Sequence, residues 1–164
     1  MNIFYFIFIL IGIYTAGYSF FEMNIHSFLF FNRDISCIEE YKKKEKVTDV
    51  ISVTHNLVFF FFGIIVFLFG LSNFVTVHDI SIKHLVLISS VLSAIDVLSI
   101  LIIDELYDLQ NTKNTIVNKW KTEKTFGDKH DHEVNMVRAV KRFDTYKNQS
   151  MFSLITIFLI LILV

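Results

Sequence analysis

The stretch Leu57-Val-Phe-Phe-Phe-Phe-Gly-Ile-Ile-Val-Phe-Leu-Phe-Gly70 contains no polar side chain. It is the centre of a longer uncharged segment, residues 53–77, which is long enough as a helix to cross the ~30 Å hydrocarbon core of a bilayer. Residues 3–21 and 149–164 carry no charge either, and residues 85–103 carry a single acid, Asp96. The sequence therefore predicts an all-α, polytopic membrane protein, with one domain over residues 1–164 and four transmembrane helices.

The composition supports lipid as the solvent of these four stretches. Hydrophobic residues make up 54% of the chain, and 19 of its 164 residues are Phe. A soluble protein of this size has too little interior to bury so many large side chains. The formal net charge of −1 gives no indication of nucleic-acid binding, and the single Cys37 excludes an intrachain disulfide.

The first span has an alternative interpretation as a secretory signal peptide. Its start, Met1-Asn2-Ile3-Phe4, lacks the basic residues that open such peptides. Its apolar run is also longer than the 7–15 residues of a typical signal peptide. A transmembrane helix is therefore the favoured prediction for residues 3–21.

The two long connections differ from the short one. Residues 22–50 begin with an apolar piece, 23–31, which the spacing of Ile25, Phe28 and Leu29 predicts to lie in the membrane interface. Residues 104–148 carry two apolar stripes at helical spacing: Leu106, Leu109, Ile116 and Trp120, then Val134, Val137, Val140 and Phe143.

These stripes predict a helical hairpin outside the membrane, between the third and fourth spans. The third span would continue as a helix to about residue 124, turn at Gly127, and return into the fourth span. The alternative is a pair of loose interfacial helices.

The basic residues predict the orientation. Fourteen of the fifteen Lys and Arg residues lie within 22–50 and 104–148, and Lys83 is the other one. Four spans place both long connections on one face, which the positive-inside rule assigns to the cytosol. Both termini are then expected on the non-cytosolic side.

Candidate docking residues lie on two helix faces. Ser89, Ser93 and Asp96 share one face of the third span, and Gly63 and Gly70 share one face of the second. Small and polar residues let membrane helices approach closely, which makes both faces candidates for docking a partner helix. Depth counting places Asp96 level with Thr15 and Thr156 as hydrogen-bond partners. The alternative roles of Asp96 are a structural hydrogen bond or a proton site, although an acid without a basic partner is weak evidence for transport.

No catalytic, cofactor or metal site is predicted, and the chain is expected not to be an enzyme. The run His130-Asp131-His132-Glu133 contains metal-ligating residue types, but consecutive residues point in different directions. His55, His78 and His84 do not lie at one depth, as two haem ligands must. No Ser-His-Asp or Cys-His arrangement has a convincing spacing, and no Gly-rich phosphate loop is present.

Short motifs resemble the cornichon family. They are Asp34-Ile35-Ser36-Cys37-Ile38-Glu39 in the first connection, Val47-Thr48-Asp49 followed by His55, and Lys141-Arg142, Tyr146-Lys147 and Phe152 before the last span. The resemblance implies a four-span cargo receptor of the early secretory pathway with luminal termini. The chain departs from that family in having no Pro, where the family's first-loop motif has an Asn-Pro pair, and in its longer third connection.

A second resemblance covers Phe143-Asp144-Thr145-Tyr146-Lys147-Asn148, which is similar to the B-cell-receptor-associated family of endoplasmic reticulum export proteins. Those proteins have three spans and a long cytosolic coiled coil, which this chain lacks.

Three functions follow as hypotheses. The first is a cargo receptor or adaptor of the endoplasmic reticulum and vesicle-mediated protein transport, with lipids and the transmembrane helices of clients as partners. The second is an accessory subunit of a hetero-oligomeric complex, such as a respiratory or ATP synthase assembly of the mitochondrial inner membrane. The third is an ion or proton pathway component.

Overall fold

The computed structural model describes residues 3–32, 39–75, 82–122 and 130–163. They form five helices: α1 (Ile3–Asn32), α2 (Glu39–Val75), α3 (Ile82–Tyr107), α4 (Leu109–Thr122) and α5 (His130–Leu163). Within these ranges there is no β-strand. The helices α1, α2, α3 and α5 are each long and apolar enough to cross a membrane. The architecture is therefore the all-helical, multi-pass one that the sequence predicts.

Two helices extend well beyond their predicted spans. Helix α1 continues to Asn32, and α2 already begins at Glu39. Most of the segment 22–50 is therefore helical, and residues 23–31 continue α1. The absence of Gly and Pro between residues 22 and 50 favours this helical extension. Residues 33–38, with Cys37 and most of the first cornichon-like motif, lie outside the described residues, as do His78 and most of the short connection.

Glycines hold α1 against α2. A Cβ atom on Gly12 would lie 2.4 Å from the backbone nitrogen of Phe67, and one on Gly63 would lie 2.5 Å from that of Ala16. One on Gly70 would meet the backbone of Ile9 at 2.8 Å. Only hydrogen fits in these three places, so the two backbones touch along several turns. This is the close approach that small residues allow between membrane helices.

The outer surface of the bundle has the polarity of a lipid-facing surface. Almost all exposed large apolar side chains lie in the predicted spans, among them Phe4, Phe21, Leu98 and Phe158. Inside, Phe62, Val66 and Phe69 of α2 pack against Phe8 of α1 and the far end of α5. An apolar exterior around an apolar core is stable in lipid and not in water.

The hairpin exists, but its first helix is broken. The prediction of one continuous helix to about residue 124 is wrong at Asp108, whose φ of 50° separates α3 from α4. Asp tolerates this left-handed conformation better than most residues. Its side chain accepts a hydrogen bond from Asn111 at 2.9 Å, and its carbonyl accepts one from the amide of Thr112 at 3.0 Å. Asp108 therefore ends one helix and opens the next.

The break changes which residues form the hairpin core. Leu106, on the predicted stripe, is 72% exposed, whereas Leu109 just after the break is fully buried. The core joins Leu109 and Ile116 of α4 to Val137, Val140 and Phe143 of α5, as the stripes predict, and adds Met136, which they did not. Helix α5 then runs on without interruption into the fourth span, as expected. The turn predicted at Gly127 lies outside the described residues.

Candidate functional site

A buried contact between a histidine and an aspartate joins α2 to α3. His55 Nδ1 lies 2.8 Å from Asp96 Oδ2, and the two side chains are 0% and 5% exposed. Asp49 and Asp104, acids closer to the hairpin, lie six and eight residues from the pair along α2 and α3, which corresponds to roughly 9–12 Å of helix. Both residues lie within helices that are long and apolar enough to cross a membrane. An acid in this environment is expected to have a partner, and His55 is that partner.

The fourth span contributes two more polar side chains to the pair. Ser150 donates a hydrogen bond to Asp96 Oδ2 at 2.5 Å, and its oxygen lies 3.2 Å from His55 Nδ1. On the other side of the ring, His55 Nε2 lies 3.1 Å from Gln149 Oε1. We call His55, Asp96, Gln149 and Ser150 the polar cluster. It connects three helices at one level of the bundle.

Aromatic rings enclose the imidazole from both sides. The ring of His55 stacks on Phe59 at a centroid distance of 5.3 Å and contacts Tyr146 at 4.7 Å. The Tyr146 hydroxyl in turn interacts with Ser52 and Asn56 of α2. With these neighbours His55 has no solvent-exposed surface, so its ring has a fixed orientation. The two ring nitrogens therefore point in defined directions.

The expected partners of Asp96 were wrong. Depth counting pairs it with Thr15 and Thr156, but Thr156 donates to the carbonyl of Phe152 on its own helix. Counting assumed that every span is centred at the same depth. The apolar run of α5 is short and begins at Ser150, so its first residue lies at the level of Asp96. The basic partner that the sequence did not reveal is His55, which lies on another helix.

The candidate docking residues all face the interior of the bundle. Counted over the whole residue, Ser89, Ser93 and Asp96 are 2%, 1% and 7% exposed, and Gly63 and Gly70 are covered by α1. The Ser93 hydroxyl has no hydrogen-bond partner within the described part of the chain, which indicates that its small size, not its polarity, matters there. These five residues contact the chain's own helices, so none of them is displayed to the lipid.

The polar cluster does not have the geometry of a nucleophilic triad. In a Ser-His-Asp triad the serine and the acid lie at opposite ring nitrogens. Here Ser150 and Asp96 both lie at Nδ1, and the Ser150 hydroxyl donates to the acid. All three are buried, so no substrate reaches the hydroxyl. The contacts of the cluster join α2, α3 and α5.

A groove opens beside the polar cluster, between α1 and α5. Its volume is about 530 Å³, and its floor is Phe59 of α2. Its walls are Leu10, Ile11, Tyr14, Thr15 and Tyr18 on α1, and Thr145, Asn148, Gln149 and Phe152 on α5. Gln149 thus belongs both to the groove and to the polar cluster. Six of the ten lining residues carry a hydrogen-bonding side chain, and two of these, Thr145 and Asn148, lie just before the fourth predicted span.

The run His130–Glu133 stabilises the hairpin. Glu133 accepts hydrogen bonds from Lys119 Nζ and Trp120 Nε1, both at 2.7 Å, and the His130 ring packs edge-on against Trp120. Burial alone would raise the pKa of Glu133, but these two hydrogen bonds and the charge of Lys119 outweigh it and lower the pKa. The described residues contain no group of three or more His, Cys, Asp and Glu side chains that could bind a metal.

Comparisons with family models, with curated proteins and with solved structures find no match for this chain. Its function therefore has to be argued from the groove and the polar cluster. Of the residues that form them, sequence reasoning identified Asp96 and missed Gln149 and Ser150. The available signal was the presence of two ionisable residues, His55 and Asp96, in neighbouring spans, because such residues in a membrane usually pair.

Proposed function

We propose that the protein is a non-enzymatic membrane adaptor, of the cargo-receptor type, that binds transmembrane helices of client proteins in the groove between α1 and α5. The observation that carries the proposal is the groove itself: an opening between α1 and α5, two helices long and apolar enough to cross a membrane, lined by both apolar and hydrogen-bonding side chains. Interhelical hydrogen bonds and close packing are the forces that associate helices in lipid.

Gly17 supports a helix as the occupant. The backbone of the opposite helix occupies the space beside Gly12, Gly63 and Gly70, whereas a Cβ on Gly17 would have no atom within 4 Å. Gly17 shares the exposed face of α1 with Leu10 and Tyr14, seven and three residues earlier. Glycine on a membrane helix favours close approach of another helix. The open space beside Gly17 therefore leaves room for the backbone of another helix to approach α1 closely.

The buried docking candidates have a supporting role in this proposal. Gly63 and Gly70 hold the α1 wall of the groove, and Asp96 holds α5, the other wall, through Ser150. Asp96, Ser93 and Ser89 then act on a client only through the position of α5. The hairpin, with its basic residues, is the part that coat or partner proteins would bind on the cytosolic side, in the endoplasmic reticulum or early secretory pathway.

Photo-crosslinking tests the proposal. A photoreactive amino acid at Leu10 or Phe152 samples the groove, and one at Ile95 or Leu98, both exposed on α3, samples lipid. We expect discrete adducts with membrane proteins from the groove positions, and their loss when Gly17→Leu fills the notch. Lipid adducts alone from all four positions overturn the proposal. A mitochondrial location of the tagged protein would favour the accessory-subunit hypothesis instead.

The contact between His55 and Asp96 favours a second candidate, a proton pathway. The basic partner whose absence weakened this hypothesis is present, and Gln149 connects the pair to the groove. Asp96→Asn removes the ionisable acid but keeps the hydrogen bonds. Unchanged proton flux of this variant in reconstituted vesicles would exclude the pathway.

A further inference from the structure

Both nitrogens of the His55 ring point at oxygen atoms. Nδ1 lies 2.8 Å from the Asp96 carboxylate, and Nε2 lies 3.1 Å from the amide oxygen of Gln149. A ring nitrogen that carries a proton donates to the oxygen that it faces, so Nε2 donates to Gln149 Oε1 when it carries the proton.

The orientation of the Gln149 amide follows from that of the ring. When Nε2 donates, Gln149 must accept through its oxygen, and its NH2 group is then directed away from His55. Since Gln149 also lines the groove, its amide hydrogens are the donors that we expect an occupant to meet there. A neutral His55 with its proton on Nδ1 would require the opposite amide orientation and would present the oxygen. The buried pair thus determines whether the groove offers a donor or an acceptor.

We propose that Gln149 is the specificity-determining residue of the groove, and that it selects client helices that carry a hydrogen-bond acceptor, such as a carboxamide or carboxyl oxygen, within their apolar span. This inference rests on the proposed function. A client with only apolar side chains would leave the Gln149 donors without a partner in the complex. An unpaired buried donor disfavours that complex.

Two synthetic transmembrane peptides of nearly equal shape, which differ in one hydrogen-bond acceptor, test this selection. One is a Leu-rich transmembrane peptide with a single Met at the level of Gln149, and the other has methionine sulfoxide there, which adds an acceptor and no donor. Binding to the full-length protein in phosphatidylcholine vesicles is measured by energy transfer. We expect the sulfoxide peptide to bind about tenfold more tightly, in line with hydrogen bonds between membrane helices.

Two variants distinguish a failure of selection by Gln149 from a failure of the proposed adaptor function. Gln149→Met removes the donor at similar volume and should reduce the ratio of the two affinities to about one, whereas Asn118→Met, exposed on α4, should leave it unchanged. Equal binding of both peptides to the natural protein overturns the inference and leaves the adaptor function standing. Binding of neither peptide, or binding that Gly17→Leu does not reduce, overturns the adaptor function itself.

Discussion

The hairpin and the membrane-spanning bundle each contain a close contact between a basic and an acidic side chain, and the two contacts are of almost the same length. Lys119 and Glu133 lie 2.7 Å apart in the hairpin, with side chains 43% and 8% exposed. His55 and Asp96 lie 2.8 Å apart in the bundle, with side chains 0% and 5% exposed. Equal distances do not mean equal energies, because solvent screens the first pair and not the second.

The two regions bury polar and apolar groups by different rules. In the hairpin, apolar residues face inwards and charges face water, as in a soluble protein, and no large apolar side chain of α4 is prominently exposed. In the bundle both surface and core are apolar, so the hydrophobic effect does not hold the helices together. Gly contacts and the polar cluster do so instead. Each region should therefore respond to a different perturbation.

The largest expected effect is the loss of one partner of the buried pair. His55→Leu leaves the Asp96 carboxylate without a compensating charge, and we expect it to lower the free energy of unfolding by about 3–5 kcal/mol. The measurement is loss of helical circular dichroism during SDS titration in mixed micelles. The double variant His55→Leu/Asp96→Leu should be more stable than the single one. If the double variant is the weaker, the pair does not act as a unit.

The next effect in size concerns the α1–α2 contact. Gly12→Ala places a methyl group 2.4 Å from the backbone of Phe67, where no flexible side chain can yield. The helices must separate, at a cost of about 1–3 kcal/mol in the same titration. Gly17→Ala is the matched control, because its Cβ meets open space and Ala is the better helix former. Equal stability of the two variants would show that α1 does not touch α2 as described.

In the hairpin a smaller effect is expected. Glu133→Gln removes the charge that Lys119 and Trp120 contact, and because Lys119 is nearly half exposed we expect a loss of about 1 kcal/mol. Trp120 is the only Trp, so its fluorescence during denaturation reports on the hairpin alone. Added salt should weaken the hairpin in the same way. Lys42→Gln, in an exposed pair with Glu39 at 3.6 Å, should change nothing measurable.

Acid should weaken the hairpin through Glu133. The pKa of Glu133 lies below its ordinary value of 4.5, so the folded state stabilises the ionised carboxylate relative to the protonated carboxyl group. The stabilisation is complete above the ordinary value and is lost as the pH falls through the lowered pKa. Trp120 emission should therefore change below about pH 4.5, and Glu133→Gln should remove that step. A step that persists in the variant belongs to another group.

In the hairpin, helical periodicity of apolar residues predicts most of the core but not the break between α3 and α4. The apolar stripes of α4 and α5 identify most of its core, because outside the membrane only one helix face is apolar. The break at Asp108 escaped prediction, since a positive φ at a non-Gly residue depends on the packing on both sides of it. In the spans every face is apolar, so periodicity identifies no inward face, and the spacing of Gly63 and Gly70 did not reveal that Gly12 lies opposite them.

The amino-acid sequence by itself determined that four helices are long and apolar enough for a bilayer and that a charged hairpin separates the last two. These properties depend on the length and polarity of contiguous segments, which can be read locally. Only the tertiary structure decided that His55 lies against Asp96, that Ser150 and Gln149 complete the cluster, and that α1 and α5 leave a groove. Such contacts depend on the relative depth and rotation of separate helices, which no single helix encodes.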